Sequence, residues 1–535
     1  MKSSQIFLLL FFSLKISGLL GQQQFQITYR VHSETQSKEI DYCGNGGYLI
    51  WGSSTTSGSS FIDLQKLTNT FSSDWSYSFS TLDSAIFPVT GKEMTDGNVL
   101  LASTIADSGT KAIHLMQTDS SGIPQWSRKF SSSDQVMPVK VKTLSDGTFY
   151  LCGKSISNGA VVQSDILLSR FTSDGHEIWS QILGGNREDI PSQVIITTDD
   201  QIAIAGTTSS FSNGSNFFLC KLDTSGNYYW FITYILGMND TCRSIIQTND
   251  GGYLMVGTGG TNGQDILIMK TDANGFLQFS RTYDLSFSSN SLNDDGFKIL
   301  NTSDGGIAIS GTTCLTTNQA KFLFLIKLSQ NLVTEWFTCY GFQYTNSFSG
   351  IIQSPDNGFI LLGNRRNSVT SHMEGLMIKS DSLGVSHCHE TSLNLTESVA
   401  TPLQFSAAPS AFSTHLVETD DSLIYSTAAI QHDTACYILA NSTLLDVPNE
   451  SFRIFPNPFS DQISFSMPEP STVQYPIEWR LEDMGGKLIV QGKLNSFINQ
   501  DIQLKTTDLK SGVYILSFKE NGNKQPIQRR AVCIQ

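Results

Sequence analysis

A short pattern returns about every fifty residues along most of this chain, and it limits the fold more than any other feature of the sequence. A glycine ends an apolar run that follows a turn of Asp/Asn-Gly type. It stands at Gly52, Gly153, Gly206, Gly257, Gly311 and Gly363, with Ala102 in the second copy, at steps of 50, 51, 53, 51, 54 and 52 residues. A second marker, usually aromatic, keeps phase with it: Trp75, Trp126, Trp179, Trp230, Phe279 and Trp336, with Cys388 in the seventh place.

One copy shows what each encodes. Ser244–Thr248 reads as a short strand, and Asn249-Asp250-Gly251-Gly252 as a tight turn whose glycines supply positive φ. Tyr253–Thr258 and Asp265–Lys270 read as second and third strands, Asp272-Ala273-Asn274-Gly275 as another turn, and Phe276–Tyr283 as a fourth strand. No helical period occurs in the unit. Four short antiparallel strands in about fifty residues make one propeller blade. Blades bury both faces, which accounts for apolar runs without strict alternation.

The expected fold is therefore all-β, a seven-bladed β-propeller over residues 22–390. Phe25-Gln26-Ile27-Thr28-Tyr29 resembles the fourth-strand segment Phe279-Ser280-Arg281-Thr282-Tyr283 but precedes the first turn. It is expected to pair with the last blade and close the ring, leaving no exposed edge. Residues 391–446 form a Ser/Thr-rich connector. Leu416–Ala429 and Cys436–Leu445 within it have a faint strand pattern, so an eight-bladed ring stays open as an alternative.

Residues 1–21 read as a signal peptide: Lys2, a nine-residue apolar stretch Ile6–Leu14, then Gly18 and Gly21. That stretch is too short to span roughly 30 Å of hydrocarbon, and no later segment is longer, so the mature chain is expected to lack a transmembrane segment. From 447 to 535 the pattern changes again. Short strands separated by turn residues predict a small C-terminal β-sandwich. Phe455-Pro456-Asn457-Pro458, the Gly485-Gly486-Lys487 turn and Leu509…Gly512-Val513-Tyr514 resemble the type A C-terminal sorting domain of the Bacteroidetes type IX secretion system. The resemblance implies export by the signal peptide, recognition by the outer-membrane type IX machinery, and release or attachment at the cell surface. The blades are also similar to propeller repeats in surface proteins of that phylum, a resemblance that implies no activity.

Charge narrows the partners. The chain has 34 Lys+Arg against 48 Asp+Glu, net −14, with no basic cluster in sequence, which argues against nucleic acid. Motifs for serine hydrolases, zinc proteases, phosphate-binding loops and paired-cysteine metal sites are missing. The Asp-x-x-Gly-x-x-x-Trp pattern (Asp119/Gly122/Trp126, Asp223/Gly226/Trp230) is similar to the docking motif of quinone-dependent propellers, with a shorter gap. Docking of one blade on the next explains its tryptophans better. His387 and His389 would share a face if their segment were a strand, but two ligands do not make a metal site. Cys388 is expected to form a disulfide with Cys436, as an exported protein permits. Basic residues close six of the third strands (Lys66, Arg170, Lys221, Lys270, Lys327, Lys379) and read as solvated strand ends.

The most suggestive chemistry is acidic. Asp83, Asp134, Asp189, Asp240 and Asp294 recur in the loop entering each first strand, with Asn346 in the seventh copy. A ring of carboxylates at one channel mouth would hold Ca²⁺ or a cationic or sugar ligand. The competing reading is that each Asp accepts N–H bonds and fixes its own loop. No cofactor is required. The expected role is a non-enzymatic module binding a glycan or protein at the cell surface. A polysaccharide hydrolase or lyase and a structural surface component are the alternatives.

Overall fold

The computed structural model describes residues 23–439, apart from loop residues 82–84, 159–162, 261–264, 287–293, 315–320, 342–345 and a few single or paired positions, together with seven strands between 453 and 533. Every described element of regular structure is a strand. The repeat folds into seven antiparallel sheets. Their innermost strands, in chain order, are Glu34–Tyr42, Ala85–Glu93, Gln135–Thr143, Asp189–Ile196, Thr241–Gln247, Asp294–Asn301 and Asn346–Gln353, and they define blades 1 to 7. The first strands of blades 1 and 7 touch, as do those of each consecutive pair, so the ring is closed.

Closure follows the expected route. Gln23–Arg30 enters blade 7 as its fourth strand, pairing Phe25 with Lys379 and Tyr29 with Gly375 of Met373–Ser380. Cys388 is therefore not the seventh aromatic marker. Phe25 is, because its partner Lys379 matches the partners Lys270 of Phe279 and Lys327 of Trp336. The second-strand marker also needs one correction. Register places Ser103, not Ala102, beside Pro88 where the other blades carry glycine.

The eight-bladed alternative is excluded, because the connector builds no blade. It circles the ring and adds a fifth, outermost strand to every sheet. Glu390–Thr391 pairs with blade 6, Asn394–Ala400 with blade 5, Leu403–Ala407 with blade 4 and Ser410–Thr414 with blade 3. Val417–Asp420 then pairs with blade 2, Leu423–Thr427 with blade 1, and Gln431–Leu439 with the N-terminal strand in blade 7. This belt runs against blade order because each pairing is antiparallel to the outgoing fourth strand. Its short strands with exposed Ser and Thr explain why the sequence shows no turn markers there.

The aromatic marker and the turn glycine are two halves of one joint. Trp75, Trp126, Trp179, Trp230 and Trp336 each lie against the turn glycine of the following blade, at Gly122, Gly175, Gly226, Gly275 and Gly384. A Cβ on those glycines would meet the indole at 2.3–2.9 Å, and all five have φ between +75° and +89°. At the two joints with phenylalanine, the glycine is replaced by a large apolar residue that keeps the left-handed conformation: Leu332 (φ 59°) beyond Phe279 and Phe71 (φ 63°) beyond Phe25. The smaller ring leaves volume, and the larger partner fills it. Phe279→Trp alone is expected to lower the melting temperature by overpacking, and Leu332→Gly alone by opening a cavity. The double variant should recover about 1–2 kcal/mol relative to additivity in a denaturant-melt cycle. Strict additivity would mean that the two residues do not share a joint.

The strands beyond 453 form a three-stranded sheet (Arg453–Phe455, Gln462–Ser466, Ile502–Lys505) and a four-stranded sheet (Leu488–Leu494, Ile477–Asp483, Gly512–Glu520, Ile527–Cys533). Backbone register sets Gly512 against Cys533 and Tyr514 between Asp483 and Ala531. Pro456, Asn457, Pro458, Gly485 and Gly486 lie outside the described residues.

Candidate functional site

Each innermost strand carries a β-bulge. Register slips between Ser37 and Glu39, Pro88 and Thr90, Pro138 and Lys140, Pro191 and Gln193, Cys242 and Ser244, Gly296 and Lys298, and Phe348 and Gly350. The repeated glycine belongs to this bulge. A Cβ on Gly52, Gly206, Gly257 or Gly311 would sit 1.9–2.3 Å from a carbonyl oxygen of the innermost strand just before the slip. The extra residue re-aims the strand at the channel. Where the side chains are described, the residues so placed differ from blade to blade: Lys38, Val139, Ser192, Arg243, Phe297 and Ser349.

The aspartates singled out by the repeat stand where those strands begin. Asp189 is fully buried and accepts the Gly185 N–H at 2.7 Å and the hydroxyls of Thr208 and Ser210 at 2.5 and 2.7 Å. Burial raises its pKa, and these bonds oppose the rise. Asp240 is equally buried and accepts the N–H groups of Leu236, Gly237 and Gly260 at 3.0, 2.8 and 3.3 Å. Asp294 accepts the Leu285 N–H at 2.7 Å. Asp134 is half-exposed, with Ser155 and Asn158 at 3.5 Å. Asp83 lies outside the described residues. These carboxylates are turned into their own loops, and among the described residues no three metal-ligating groups converge. Asp189→Ala strands one N–H and two hydroxyls and should cost about 2–3 kcal/mol in urea unfolding, while Asp134→Ala should cost under about 1 kcal/mol. Equal small losses would mean that the Asp189 bonds do not hold the loop.

The basic strand ends are a correction. They are not solvated. Lys221, Lys270, Lys327 and Lys379 reach the aspartate of their own blade's first turn (Asp199, Asp250, Asp304, Asp356) at 2.6–2.9 Å, and Arg170 reaches Asp146 at 3.4 Å. The third strand ends beside that turn, so the cation clamps it. Burial acts to raise the Asp250 and Asp304 carboxyls, but the lysine and turn hydrogen bonds outweigh it and hold both at about 2. His387 is not in a strand. It has φ 56° and donates its N–H to Glu390, while His389 lies outside the described residues. Cys388 is disulfide-bonded. Gln26 donates its side-chain amide to the Cys388 carbonyl, and Cys436 is its strand partner. The side chain of Cys436 is outside those described.

The channel itself holds what sequence reading missed. Glu39 of blade 1 pairs with Lys140 of blade 3 and with Lys298 of blade 6, the latter at 3.1 Å. Neither blade borders blade 1, so the three side chains meet across the central axis. Asp41 pairs with Lys92 of blade 2 beside them. The signal was present as an offset: the bulge residue stands fourteen positions before the marker glycine, as Lys38 before Gly52 and Arg243 before Gly257.

No curated protein matches the chain. Among solved structures it is similar to PorZ, a bacterial surface component of the type IX secretion system of Porphyromonas gingivalis, at 7% identity over 95% of this chain and 100% of that one, with a TM-score of 0.25. It is also similar to a glycosyl hydrolase from Bacteroides ovatus (12% identity, 48% and 86% covered, TM-score 0.26) and to a putative glycoside hydrolase from Bacteroides ovatus ATCC 8483 (10%, 58% and 90%, 0.26). These scores are low, so the fold is read from the strand pairing and not from them. No helix among the described residues is long and apolar enough to cross a membrane, and the signal peptide lies outside those residues. Residues 453–532 match the secretion system C-terminal sorting domain, so this seven-bladed propeller carries the sorting domain of a type IX secreted protein and is delivered to the outer cell surface or beyond.

Proposed function

We propose that the chain is a surface recognition module without catalysis, which binds a glycan or protein at the channel mouth where the first strands begin. The observation that supports this most is the fate of the repeated aspartates. Asp189, Asp240 and Asp294 serve as acceptors for their own loops. A ring whose mouth loops are fixed this way presents side chains without reorganising, which favours binding. A Cys388–Cys436 disulfide would join the beginning of the belt to its end and hold the ring shut.

The hydrolase or lyase reading draws on Asp165 and on a second role for Asp294. Burial, together with neighbouring carboxylates, raises Asp165 and Asp294 to about 7, a value suited to a general acid. Binding of the full chain to a glycan array, with calcium or with chelator, and turnover on a polysaccharide panel separate the two. Saturable binding without product supports recognition, and chelator-sensitive binding would place calcium at the mouth. Product formation abolished by Asp294→Asn would replace the recognition reading with the enzymatic one.

A further inference from the structure

We propose, resting on the recognition reading above, that the channel mouth binds the acidic groups of a carboxylated or sulfated glycan, with Lys38 and Arg243 as the cationic contacts. The chain as a whole is acidic, at net −14, yet its channel is not. Among the described residues, the bulge and the two inward positions after it bring six cations to the channel (Lys38, Lys92, Lys140, Lys142, Arg243 and Lys298). Only Glu39 and Asp41 oppose them, and both are spent: Glu39 on Lys140 and Lys298, Asp41 on Lys92. The sign is the reverse of the carboxylate ring expected from the repeat. The repeated acidic residues Asp189, Asp240 and Asp294 build loops, whereas the charges facing the channel come from only some of the blades.

Lys38 and Arg243 occupy the same bulge position in blades 1 and 5, one step nearer the mouth than the ion-paired layer. Both are exposed. No carboxylate reaches either among the described residues. Lys38 is nevertheless desolvated enough to lower its pKa, as expected of an ammonium standing in a narrow water-filled channel. Arg243 lies over the ring of Phe297, 5.3 Å from its centroid, and Phe297 stacks on Phe348 at 5.9 Å. Unpaired cations in a concave mouth attract an anion more strongly than the same charges on an open surface. A guanidinium packed over an aromatic ring keeps N–H groups for a carboxylate or sulfate. Phe297 and Phe348 are only partly buried, and such apolar surface beside the guanidinium suits a sugar ring, which points to a glycan rather than a bare ion.

The test uses the full chain on an array of uronate and sulfated oligosaccharides beside their carboxyl-reduced and desulfated counterparts. Binding is expected to the charged members only, to weaken steeply with salt, and to fall about tenfold or more in Lys38→Gln and in Arg243→Gln. Among the described residues neither carries an ion pair, so Lys38→Gln should melt with the parent protein and Arg243→Gln, which also loses the contact with Phe297, only slightly below it. Binding to the neutral counterparts alone would overturn the anion proposal and leave the recognition reading standing. Unchanged binding in both variants would likewise overturn it. No binding to any glycan, together with turnover of a polysaccharide, would remove both readings. Millimolar sulfate at constant ionic strength gives an independent readout: it should raise the parent's melting temperature but not that of the Lys38→Gln/Arg243→Gln double variant. Equal shifts in both proteins count against the site.

Discussion

A chain lacking residues 23–30 is expected to be exported poorly folded or to be degraded, and when purified to show no cooperative melt near the parent's. That strand is inserted between Met373–Ser380 and Gln431–Leu439, bonded on both edges. Phe25, Ile27 and Tyr29 are all at most 9% exposed, and Gln24, Gln26 and Thr28 on the alternate face are buried too. Burial of three large apolar side chains contributes about 2 kcal/mol each, and two ladders of backbone hydrogen bonds are lost with them. The sum is comparable to the roughly 5–15 kcal/mol that holds a typical domain folded. Two further losses follow. Phe25 no longer meets Phe71 in the joint between blades 7 and 1, and the outer strand Gln431–Leu439 loses the strand that it pairs with among the described residues. Differential scanning calorimetry and limited proteolysis read the result. A variant with residues 23–30 deleted that still melts cooperatively within a few degrees of the parent would show that the ring closes without this strand.

Much of this architecture was legible because it is periodic. A role performed in every blade leaves a mark at a fixed spacing, and both markers turned out to be steric. The second-strand glycine faces a carbonyl at the bulge, and the turn glycine faces the preceding blade's indole. The closing strand was legible for the same reason, since Phe25 to Tyr29 copies a fourth strand. The belt was not. Its strands pair mainly through backbone, with most side chains exposed and only scattered side-chain contacts such as Glu418 with Arg128, so no hydrophobic pattern announces strands such as Ser410–Thr414. The same preference for repetition drew attention to the aspartates rather than to the channel. Asp189 and Asp240 recur because every loop needs an acceptor for its N–H groups. The channel charges do not recur in every blade. Glu39, Lys140 and Lys298 come from different blades and meet only when the ring closes. The paired basic strand ends were missed because Lys270 and Asp250 lie twenty residues apart and are joined by the hairpin.

Glu39→Gln tests the charge balance at the axis, and at pH 7 it is expected to destabilise the propeller by about 3–5 kcal/mol, the range for removing one partner of a buried ion pair. The carboxylate is 15% exposed and its two lysines 19% and 25%, so water screens the group only in part. Burial acts to raise the Glu39 pKa, but Lys140 and Lys298 outweigh it and bring the group down from 4.5 to about 2. Lys140 moves from 10.5 to about 8, because burial and Lys298 outweigh the attraction of Glu39. The signs give a pH profile. An acid whose folded pKa is depressed stabilises the fold above its unfolded pKa, and that stability is lost as pH falls from about 4.5 towards 2. A lysine whose folded pKa is depressed weighs against the fold while it stays charged, and the strain is relieved as pH rises through its folded pKa. In the glutamine variant Lys140 and Lys298 face each other without an acid, so the Lys140 pKa falls further. The gap between parent and variant should therefore be widest near neutrality. It should shrink as pH falls from about 4.5 towards 2, because the unfolded parent takes up a proton at Glu39 that the folded state resists, and shrink again as pH rises towards about 8, because Lys140 in the variant gives up its proton before Lys140 in the parent does. Paired urea melts from pH 3 to pH 10 read this profile. A gap that stays constant with pH would mean that Glu39 acts through packing and not through its charge. The same variant separates the two layers of the channel. It adds a net positive charge below Lys38 and Arg243, so an acidic glycan should bind it at least as tightly as the parent although the fold has become weaker.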